Sequence, residues 1–196
     1  MRRLLSTLCV MSFSTAMILS ASAQTDRNGP GTTDTTSQKQ SAGMGNPDHA
    51  FLKKAAEGGL AEVELGQLAT QKASSEDVKK FGQRMVDDHS KANEQLKQVA
   101  AEKNIKVPEK LSAKDQATKA RLEKLSGEQF DKAYMRDMVK DHQKDVAEFE
   151  RESKMAKDPA IKSFAEQTLP TLKDHLKEAE RIAPKQQQTA QRTSGQ

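Results

Sequence analysis

The chain contains no tryptophan, one tyrosine and one cysteine among its 196 residues. No stretch alternates apolar and polar residues in the way that a half-buried β-strand does. The single cysteine, Cys9, lies in an N-terminal segment that we expect to be removed, so the mature chain has none to pair. These absences exclude a disulfide-stabilised scaffold and leave a packed helical core as the source of stability.

The N-terminus has the three parts of a secretory signal peptide. Arg2 and Arg3 form a positive start, residues 4–19 are mostly apolar, and Ala21-Ser22-Ala23 is a small-residue cleavage site. The apolar run is too short for a stable membrane span. We therefore predict a signal peptide at residues 1–23, export to the periplasm or cell envelope, and no transmembrane helix in the mature chain.

Charge gives no support for a nucleic-acid partner. The formal net charge is +4. Cleavage after Ala23 removes two arginines and lowers this to about +2, an excess too small to attract a polyanion. Acidic and basic residues also alternate along the chain, which is typical of solvated helix faces. The sequence predicts no nucleic-acid binding, and it leaves the oligomeric state open.

Both ends of the mature chain are poor in apolar residues. Residues 24–46 are rich in Thr, Ser, Gly and Gln, and residues 184–196 are rich in Gln. Segments of this composition cannot bury enough apolar surface to order themselves. We predict a disordered leader at 24–46, a folded domain at 47–183, and a disordered tail at 184–196.

Helix start and stop signals divide the folded region into five helices. Asn46-Pro47 opens the first helix, Ser126-Gly127-Glu128-Gln129 is a capping-box pattern, and Asp158-Pro159 opens the last helix. The predicted helices run from about Pro47 to Gln71, Ser75 to Lys103, Ser112 to Leu125, Gly127 to Lys157, and Pro159 to the residues before Pro184.

Two features inside these helices oppose helix formation. Pro170 predicts a kink or a local break in the last helix. Gly58, Gly59 and Gly66 weaken the first helix by about 1 kcal/mol each relative to Ala. Their presence makes sense if a neighbouring helix or a ligand comes close at those positions.

The lengths of the connections indicate the fold. The first two long helices are joined by a short turn, and so are the last two, whereas about two dozen residues separate the pairs. This pattern predicts an all-α, ferritin-like four-helix bundle: two helical hairpins joined by one long crossover that contains a short helix.

One sequence pattern occurs three times, and each copy ends in a histidine near the middle of a long helix. The copies are Met85-Val86-Asp87-Asp88-His89, Met138-Val139-Lys140-Asp141-His142, and Thr171-Leu172-Lys173-Asp174-His175. Because each histidine lies about 14–16 residues from the start of its helix, the three fall at one level of the bundle. Each also shares a helix face with apolar residues, so all three are expected to face the core.

The first helix supplies an acid at the same level. Glu62 lies on an inward stripe of small residues, whereas Glu64 falls on the opposite face and is the second choice. A buried carboxylate needs a partner. We therefore predict a site for one transition metal ion made from Glu62, His89, His142 and His175. Imidazole and carboxylate ligands suit Zn, Fe, Mn, Cu or Ni, and the sequence does not distinguish among them.

Alternatives to a metal site remain open. The histidines can form a buried polar layer without metal in a structural or interaction protein of the envelope, or the helices can associate peripherally with a membrane. Di-iron bundles carry Glu-x-x-His motifs, but Val86, Val139 and Leu172 occupy the positions three before the histidines. Ferroxidase chemistry is therefore not predicted, and a non-enzymatic role is favoured.

Two further groups of residues have a supporting role in this interpretation. The aspartates that precede the histidines, Asp88, Asp141 and Asp174, point away from their own imidazole and can at most support one on another helix. Met85 and Met138 lie one turn from a histidine. They are either core residues or soft ligands for Cu(I).

Several of these strings together resemble a bacterial exported family catalogued as domain of unknown function 4142. The strings are Phe51, Glu62-Val63-Glu64-Leu65-Gly66, Leu68-Ala69, Met85-Val86 with Asp88-His89, Phe130-Asp131 with Tyr134, Asp141-His142, Leu169-Pro170 and His175-Leu176. The resemblance extends from about Asp48 to Ile182. It implies a ferritin-like fold and an envelope location, often the outer membrane, and it implies no activity.

Overall fold

The computed structural model describes residues 46–183 of the chain, and these residues form five α-helices and no strand. The helices are α1 (Pro47–Lys72), α2 (Glu76–Glu102), α3 (Ala113–Glu123), α4 (Gly127–Met155) and α5 (Pro159–Ile182). The predicted all-α class is confirmed, and the helix bounds agree with prediction to within about two residues at most ends. The predicted signal peptide and tail, and all of the predicted leader before Asn46, lie outside the described residues.

Two of the three predicted helix start signals form N-cap hydrogen bonds. The side chain of Asn46 accepts a hydrogen bond from the backbone N–H of Asp48 at 3.0 Å. Asp158 accepts from the backbone N–H groups of Ala160 and Ile161, at 2.9 and 3.3 Å. Both side chains satisfy donors that the first turn of a helix leaves free.

The predicted capping box at Ser126 does not form. Ser126 is the N-cap residue of α4, but its side chain makes no capping hydrogen bond. The following residue, Gly127, has a φ of +59°. Glycine adopts this left-handed conformation without steric strain, so the chain enters α4 through the backbone freedom of glycine.

Each hairpin turn is held by an aspartate from the other hairpin. Asp131 of α4 accepts from the backbone N–H groups of Ser74 and Ser75, at 3.0 and 2.9 Å, before α2 begins. Asp48 of α1 accepts from the backbone N–H groups of Lys157 and Asp158, at 2.9 and 2.8 Å, before α5 begins. Both aspartates are buried. The two contacts fix the mutual position of the hairpins at both ends.

The long helices pack as two hairpins. α1 lies against α2 and α4 against α5; smaller contacts join α2 to α5 and α1 to α4. α3 lies in the crossover and touches α1 and α4. The described residues thus form two helix pairs with α3 in the connection between them. None of the helices formed by residues 46–183 is both long enough and apolar enough to cross a membrane.

The apolar core is divided into two clusters, one toward each end of the long helices. One includes Val78, Phe81, Met85, Phe130, Tyr134 and Met138; the other includes Phe51, Leu96, Phe149, Ile161 and Phe164. On each long helix, the residues of one cluster are followed along the sequence by residues of the other. The stretch between them is where Glu62 and the three histidines lie, so a polar layer separates two apolar layers.

The glycines of α1 show why a helix tolerates them. A Cβ atom at Gly66 would lie 2.6 Å from the carbonyl oxygen of Gly82, and one at Gly59 would lie 2.1 Å from Oδ1 of Asn93. The predicted close approach is therefore confirmed at these two positions. It is wrong for Gly58, where an added Cβ would meet no atom within 4 Å.

Of the kink or local break predicted at Pro170, the break does not occur. α5 runs without interruption from Pro159 to Ile182. Proline removes one backbone donor from the helix interior and crowds the carbonyl of the preceding turn. Packing of α5 against α4 and α2 on both sides of Pro170 is sufficient to keep the helix continuous at this point.

Candidate metal centre

The polar layer brings together all four residues that the sequence singled out. Glu62 is 4% exposed, His89 is 7% exposed, and His142 and His175 are fully buried. Each comes from a different long helix. One nitrogen from each of the three imidazoles lies within 4.8 Å of the corresponding nitrogens of the other two. The residues lie at one level because each occupies the middle of its helix.

The carboxylate of Glu62 lies against two of the imidazoles. Its Oε2 is 2.7 Å from Nε2 of His89 and 3.3 Å from Nε2 of His142. The contact with His89 is off the axis of a hydrogen bond. Among the described residues, both oxygens of Glu62 and Nε2 of His89 therefore lack a hydrogen-bond partner. Such groups are unusual in a protein interior, where most buried polar atoms are paired.

A backbone carbonyl fixes the proton of His142. Nδ1 of His142 lies 3.0 Å from the carbonyl oxygen of Met138, one turn earlier on α4. A carbonyl oxygen can only accept, so Nδ1 carries the proton and donates. In the neutral ring, Nε2 then presents its lone pair to the centre of the layer.

An aspartate from another helix fixes the proton of His175. Nε2 of His175 lies 2.9 Å from Oδ2 of Asp88 on α2. Burial alone raises the pKa of Asp88, but the hydrogen bond from His175 and the nearby Arg84 outweigh it, and the pKa is lowered. Asp88 is therefore ionised at neutral pH, and Nε2 of His175 must donate to it. The Nδ1 lone pair of the neutral ring faces the centre.

Arg84 continues this chain of contacts to the surface. Its Nε lies 3.3 Å from Oδ2 of Asp88, and its Nη1 lies 2.6 Å from Oε2 of Glu178. A carboxylate that holds a metal-binding histidine and is itself hydrogen-bonded is the usual support of a metal site. Of the three aspartates that precede the histidines, only Asp88 has this role. Asp141 pairs with Lys144 on its own helix, and Asp174 is exposed.

Two ring nitrogens therefore face each other without a proton between them. Nε2 of His142 and Nδ1 of His175 are 3.3 Å apart. When both rings are neutral, two lone pairs point at one another across this distance. A proton shared between the rings or a cation between them removes the repulsion. The geometry therefore favours a positive charge at the centre of the layer.

The titration behaviour of the cluster reflects its burial and mutual contacts. Burial alone raises the pKa of Glu62, but the imidazoles of His142 and His89 outweigh it and lower the pKa to about 2. Burial alone lowers the pKa of His89, but the charge of Glu62 outweighs it and the pKa is raised. For His175, burial is the largest influence and lowers the pKa to about 4 despite the hydrogen bond to Asp88.

The remaining sequence candidates lie outside the cluster. Glu64 is partly exposed and pairs with Lys119 of α3 at 2.6 Å, so its predicted outward position is confirmed. His49 lies in the first turn of α1, far along the helix from Glu62. Met85 and Met138 are fully buried and belong to an apolar cluster.

Sequence reasoning missed two residues near the site. One is Asp145 on α4, which is partly buried; burial and the charge of Glu62 raise its pKa to about 7. The other is Arg84, which supports Asp88. Asp145 lies on the same face of α4 as His142, about one turn later, and this spacing was a signal for it.

The spacing of the ligand atoms suits a small metal ion. A tetrahedral ion with bonds of about 2.0–2.1 Å holds its ligand atoms about 3.3 Å apart. The His142–His175 and His142–Glu62 distances are both 3.3 Å. Nε2 of His89 lies closer than this to Oε2 of Glu62, at 2.7 Å, so His89 would have to shift to join the set.

Proteins of known structure share this fold at low sequence identity. A DUF305 fragment from Deinococcus radiodurans superposes with a TM-score of 0.61 at 16% identity, covering 69% of this chain and 93% of the other. A DUF305 protein from Streptomyces coelicolor gives a TM-score of 0.57 at 14% identity, covering 69% and 94%. CopM in its Ag-bound form, from co-crystallization, gives 0.57 at 16% identity, covering 68% and 93%. At these identities, the similarity shows the fold alone.

No curated protein matches the chain. One family model does match the chain. The match covers residues 33–182, which include every described helix and all four residues of the cluster. This protein belongs to the family described as domain of unknown function (DUF4142).

Proposed function

We propose that this chain is an exported, ferritin-like helical bundle that binds one divalent first-row transition metal ion through Glu62, His89, His142 and His175. Three imidazole nitrogens and one carboxylate oxygen form a donor set that suits such ions. A bound ion would neutralise Glu62 and accept the lone pairs that face it. The role is binding, in envelope or stress physiology, and no reaction is assigned.

One observation carries the proposal: the outer nitrogens of His142 and His175 contact acceptors, so in the neutral rings both inward nitrogens present lone pairs. Met138 and Asp88 hold the protons of these rings on the outer nitrogens. The inner nitrogens then lie 3.3 Å apart, beside the oxygens of Glu62, which accept no hydrogen bond within the described residues. A metal ion satisfies these groups together, whereas a shared proton satisfies only part of them.

A structural neighbour supports metal binding by this fold. CopM, at a TM-score of 0.57, was crystallised with Ag bound. Silver is a soft ion that prefers sulfur ligands, and the cluster of this chain contains only nitrogen and oxygen. The neighbour supports the proposal as one protein of this fold that holds a metal ion, and the nitrogen and oxygen donors of this chain favour a harder, divalent ion such as Zn²⁺.

Metal analysis of the chain purified without an affinity tag tests the proposal. We expect one equivalent of metal per chain, or one equivalent of Zn²⁺ taken up by the metal-free chain in a calorimetric titration. A chelator should lower the melting temperature, because an ion that binds only the folded state stabilises it.

Matched variants locate the ion. Glu62→Gln and His142→Ala should lose the bound equivalent, and His49→Ala should keep it because His49 lies outside the cluster. Helix content measured by circular dichroism shows whether each variant is folded. Substoichiometric metal in the wild type, together with melting that a chelator leaves unchanged, would refute the metal site.

Export rests on the sequence of residues 1–23. The positive start, apolar run and small-residue cleavage site predict removal after Ala23. Expression of the full chain in a Gram-negative host, followed by fractionation and N-terminal sequencing, tests this. A mature chain that begins at Gln24 in the periplasmic fraction is expected; an intact Met1 in the cytoplasm would refute export.

A second function is favoured by the His89–Glu62 contact. The raised pKa of His89 and the lowered pKa of Glu62 describe an ion pair that can exist without metal. In that case the cluster is a polar layer of a structural or interaction protein of the envelope. Nuclear magnetic resonance of the metal-free and Zn²⁺-treated chain separates the two, because only a metal site shifts all three imidazole spectra at one equivalent.

A further inference from the structure

A constant sequence spacing relates several positions of the two hairpins. Asp48 and Asp131 are separated by a certain number of residues in the sequence. The N-cap residues of α2 and α5, Ser75 and Asp158, are separated by the same number. Asp48 and Asp131 make equivalent contacts, each with the turn of the opposite hairpin. The long helices are therefore arranged with an internal two-fold relation.

This relation assigns a counterpart to Glu62. The same spacing leads from Glu62 on α1 to Asp145 on α4. The two carboxylates therefore occupy equivalent positions on equivalent helices; Glu62 is buried, and Asp145 is partly buried and borders the cavity beside His89. The position that faces the imidazoles thus carries an acid in both halves of the molecule.

Asp145 differs from the acids around it because its carboxyl group has no basic partner within the described residues. Asp141 is paired with Lys144, Asp137 with Arg121, and Glu148 with Lys54. The side chain of Asp145 makes no hydrogen bond and no ion pair within residues 46–183. It is therefore available to a ligand that comes from outside.

Two cavities meet at Asp145. The outer one is a cleft of about 540 Å³ between α1 and α4, partly covered by α3, and Glu62 lines it. The inner one, of about 30 Å³, lies against His89. Only Gly58 and Asp145 line both cavities. A Cβ atom at Gly58 would meet nothing within 4 Å, so the absent side chain leaves open space between them.

We infer that the α1–α4 cleft is the path by which a divalent cation reaches the buried cluster, with Asp145 as the carboxylate that receives the cation and transfers it to Glu62. This inference rests on the proposed metal site. Glu62 is 4% exposed, its oxygens have no hydrogen-bond partner among the described residues, and it forms the inner wall of the cleft. As the cation loses its water ligands in the cleft, it can bind oxygens of Asp145 and then of Glu62 in their place. It therefore keeps oxygen ligands throughout its passage into the protein interior, where an unligated ion would be unstable.

Loading kinetics test the path. The metal-free full chain is mixed with Zn²⁺ and a fluorescent zinc indicator, and uptake is followed by stopped flow. Gly58→Leu places a branched side chain in the gap, and Asp145→Asn removes the carboxylate oxygens to which the cation would bind. Each should slow uptake about tenfold or more, with one equivalent still bound at equilibrium.

Conservative variants serve as controls. Gly58→Ala adds a methyl group to open space and should load at the wild-type rate, and Asp145→Glu should restore the rate lost in Asp145→Asn. A variant that has merely misfolded is recognised by its lost helix content and by reduced binding at equilibrium.

A second measurement does not depend on metal uptake. In D₂O, the C2 hydrogen of each imidazole in the metal-free chain exchanges at a rate that depends on access of solvent, and mass spectrometry resolves it for His89. Gly58→Leu should slow this exchange severalfold relative to Gly58→Ala. Unchanged exchange and unchanged loading in Gly58→Leu would overturn the path but leave the metal site intact. A wild-type chain that binds no Zn²⁺ would overturn both.

Discussion

The support that Asp88 gives to His175 makes a sharp prediction for Asp88→Asn. The carboxylate fixes the proton of His175 on Nε2, through a contact of 2.9 Å, and thereby keeps Nδ1 free for a metal ion. An asparagine at this position carries no charge, and its amide nitrogen can donate to Nε2. A ring that accepts there must carry its proton on Nδ1, where it points into the site.

The expected loss follows from the usual effect of such supporting carboxylates. Their substitution weakens metal binding about 10- to 100-fold. This corresponds to about 1.4–2.7 kcal/mol of binding free energy. Competition between the chain and a chelator of known affinity for Zn²⁺ measures it. Unfolding of the metal-free variant, followed separately by denaturant titration, shows how much of the change is loss of folding.

The sequence offers a matched control in Asp174→Asn. Asp174 also precedes a histidine of the repeated pattern, but it is exposed and does not contact the cluster. Zn²⁺ affinity should therefore stay at the wild-type value in this variant. The reasoning is wrong if Asp88→Asn binds Zn²⁺ as tightly as Asp174→Asn does.

Three further predictions concern stability. Gly66→Ala should destabilise the chain by about 1–3 kcal/mol, because its methyl group would overlap the carbonyl of Gly82. Gly58→Ala, whose methyl group would meet no atom, should stabilise the chain by up to about 1 kcal/mol. Denaturant titration of the two variants measures both changes. In the metal-free chain, a fall in pH from 6.5 to 4 destabilises the fold through His175, whose pKa is lowered to about 4, and stabilises it through Asp145, whose pKa is raised to about 7, so the two effects oppose each other. In the metal-free Asp145→Asn variant, where only the His175 effect is left, the free energy of unfolding should fall by up to about 3 kcal/mol over that range. Flat stability across that range, measured at several pH values, would contradict it. Tyr134→Phe should raise the melting temperature, since the buried hydroxyl has no partner among the described residues; a stability loss above about 1 kcal/mol would show that it is satisfied.

The level and the facing of the site residues were predictable from helix periodicity. A histidine near the middle of each of three helices, and Glu62 near the middle of the fourth, must meet if the helices pack side by side. Periodicity does not, however, reveal contacts between helices. Asp88 and Asp174 occupy the same place in the repeated pattern, yet only Asp88 reaches an imidazole, because of the way in which α2 packs on α5.

The errors in the fold have the same origin. Pro170 opposes helix formation locally, but α5 is held by its neighbours and continues through it. Ser126 has the sequence of a capping box, but the backbone of Gly127 provides another way into the helix. Gly58 and Gly66 are indistinguishable by propensity, and only the approach of α2 gives them different roles.

The crossed contacts of Asp48 and Asp131 link the folding of the two hairpins. A peptide comprising α1 and α2 alone would lack the acceptor for the amides of its own turn, and one comprising α4 and α5 would lack its acceptor as well. Separating the halves would therefore expose unsatisfied donors in both, along with the apolar faces that they bury against each other. Neither half is self-sufficient, and the molecule should unfold in a single cooperative step.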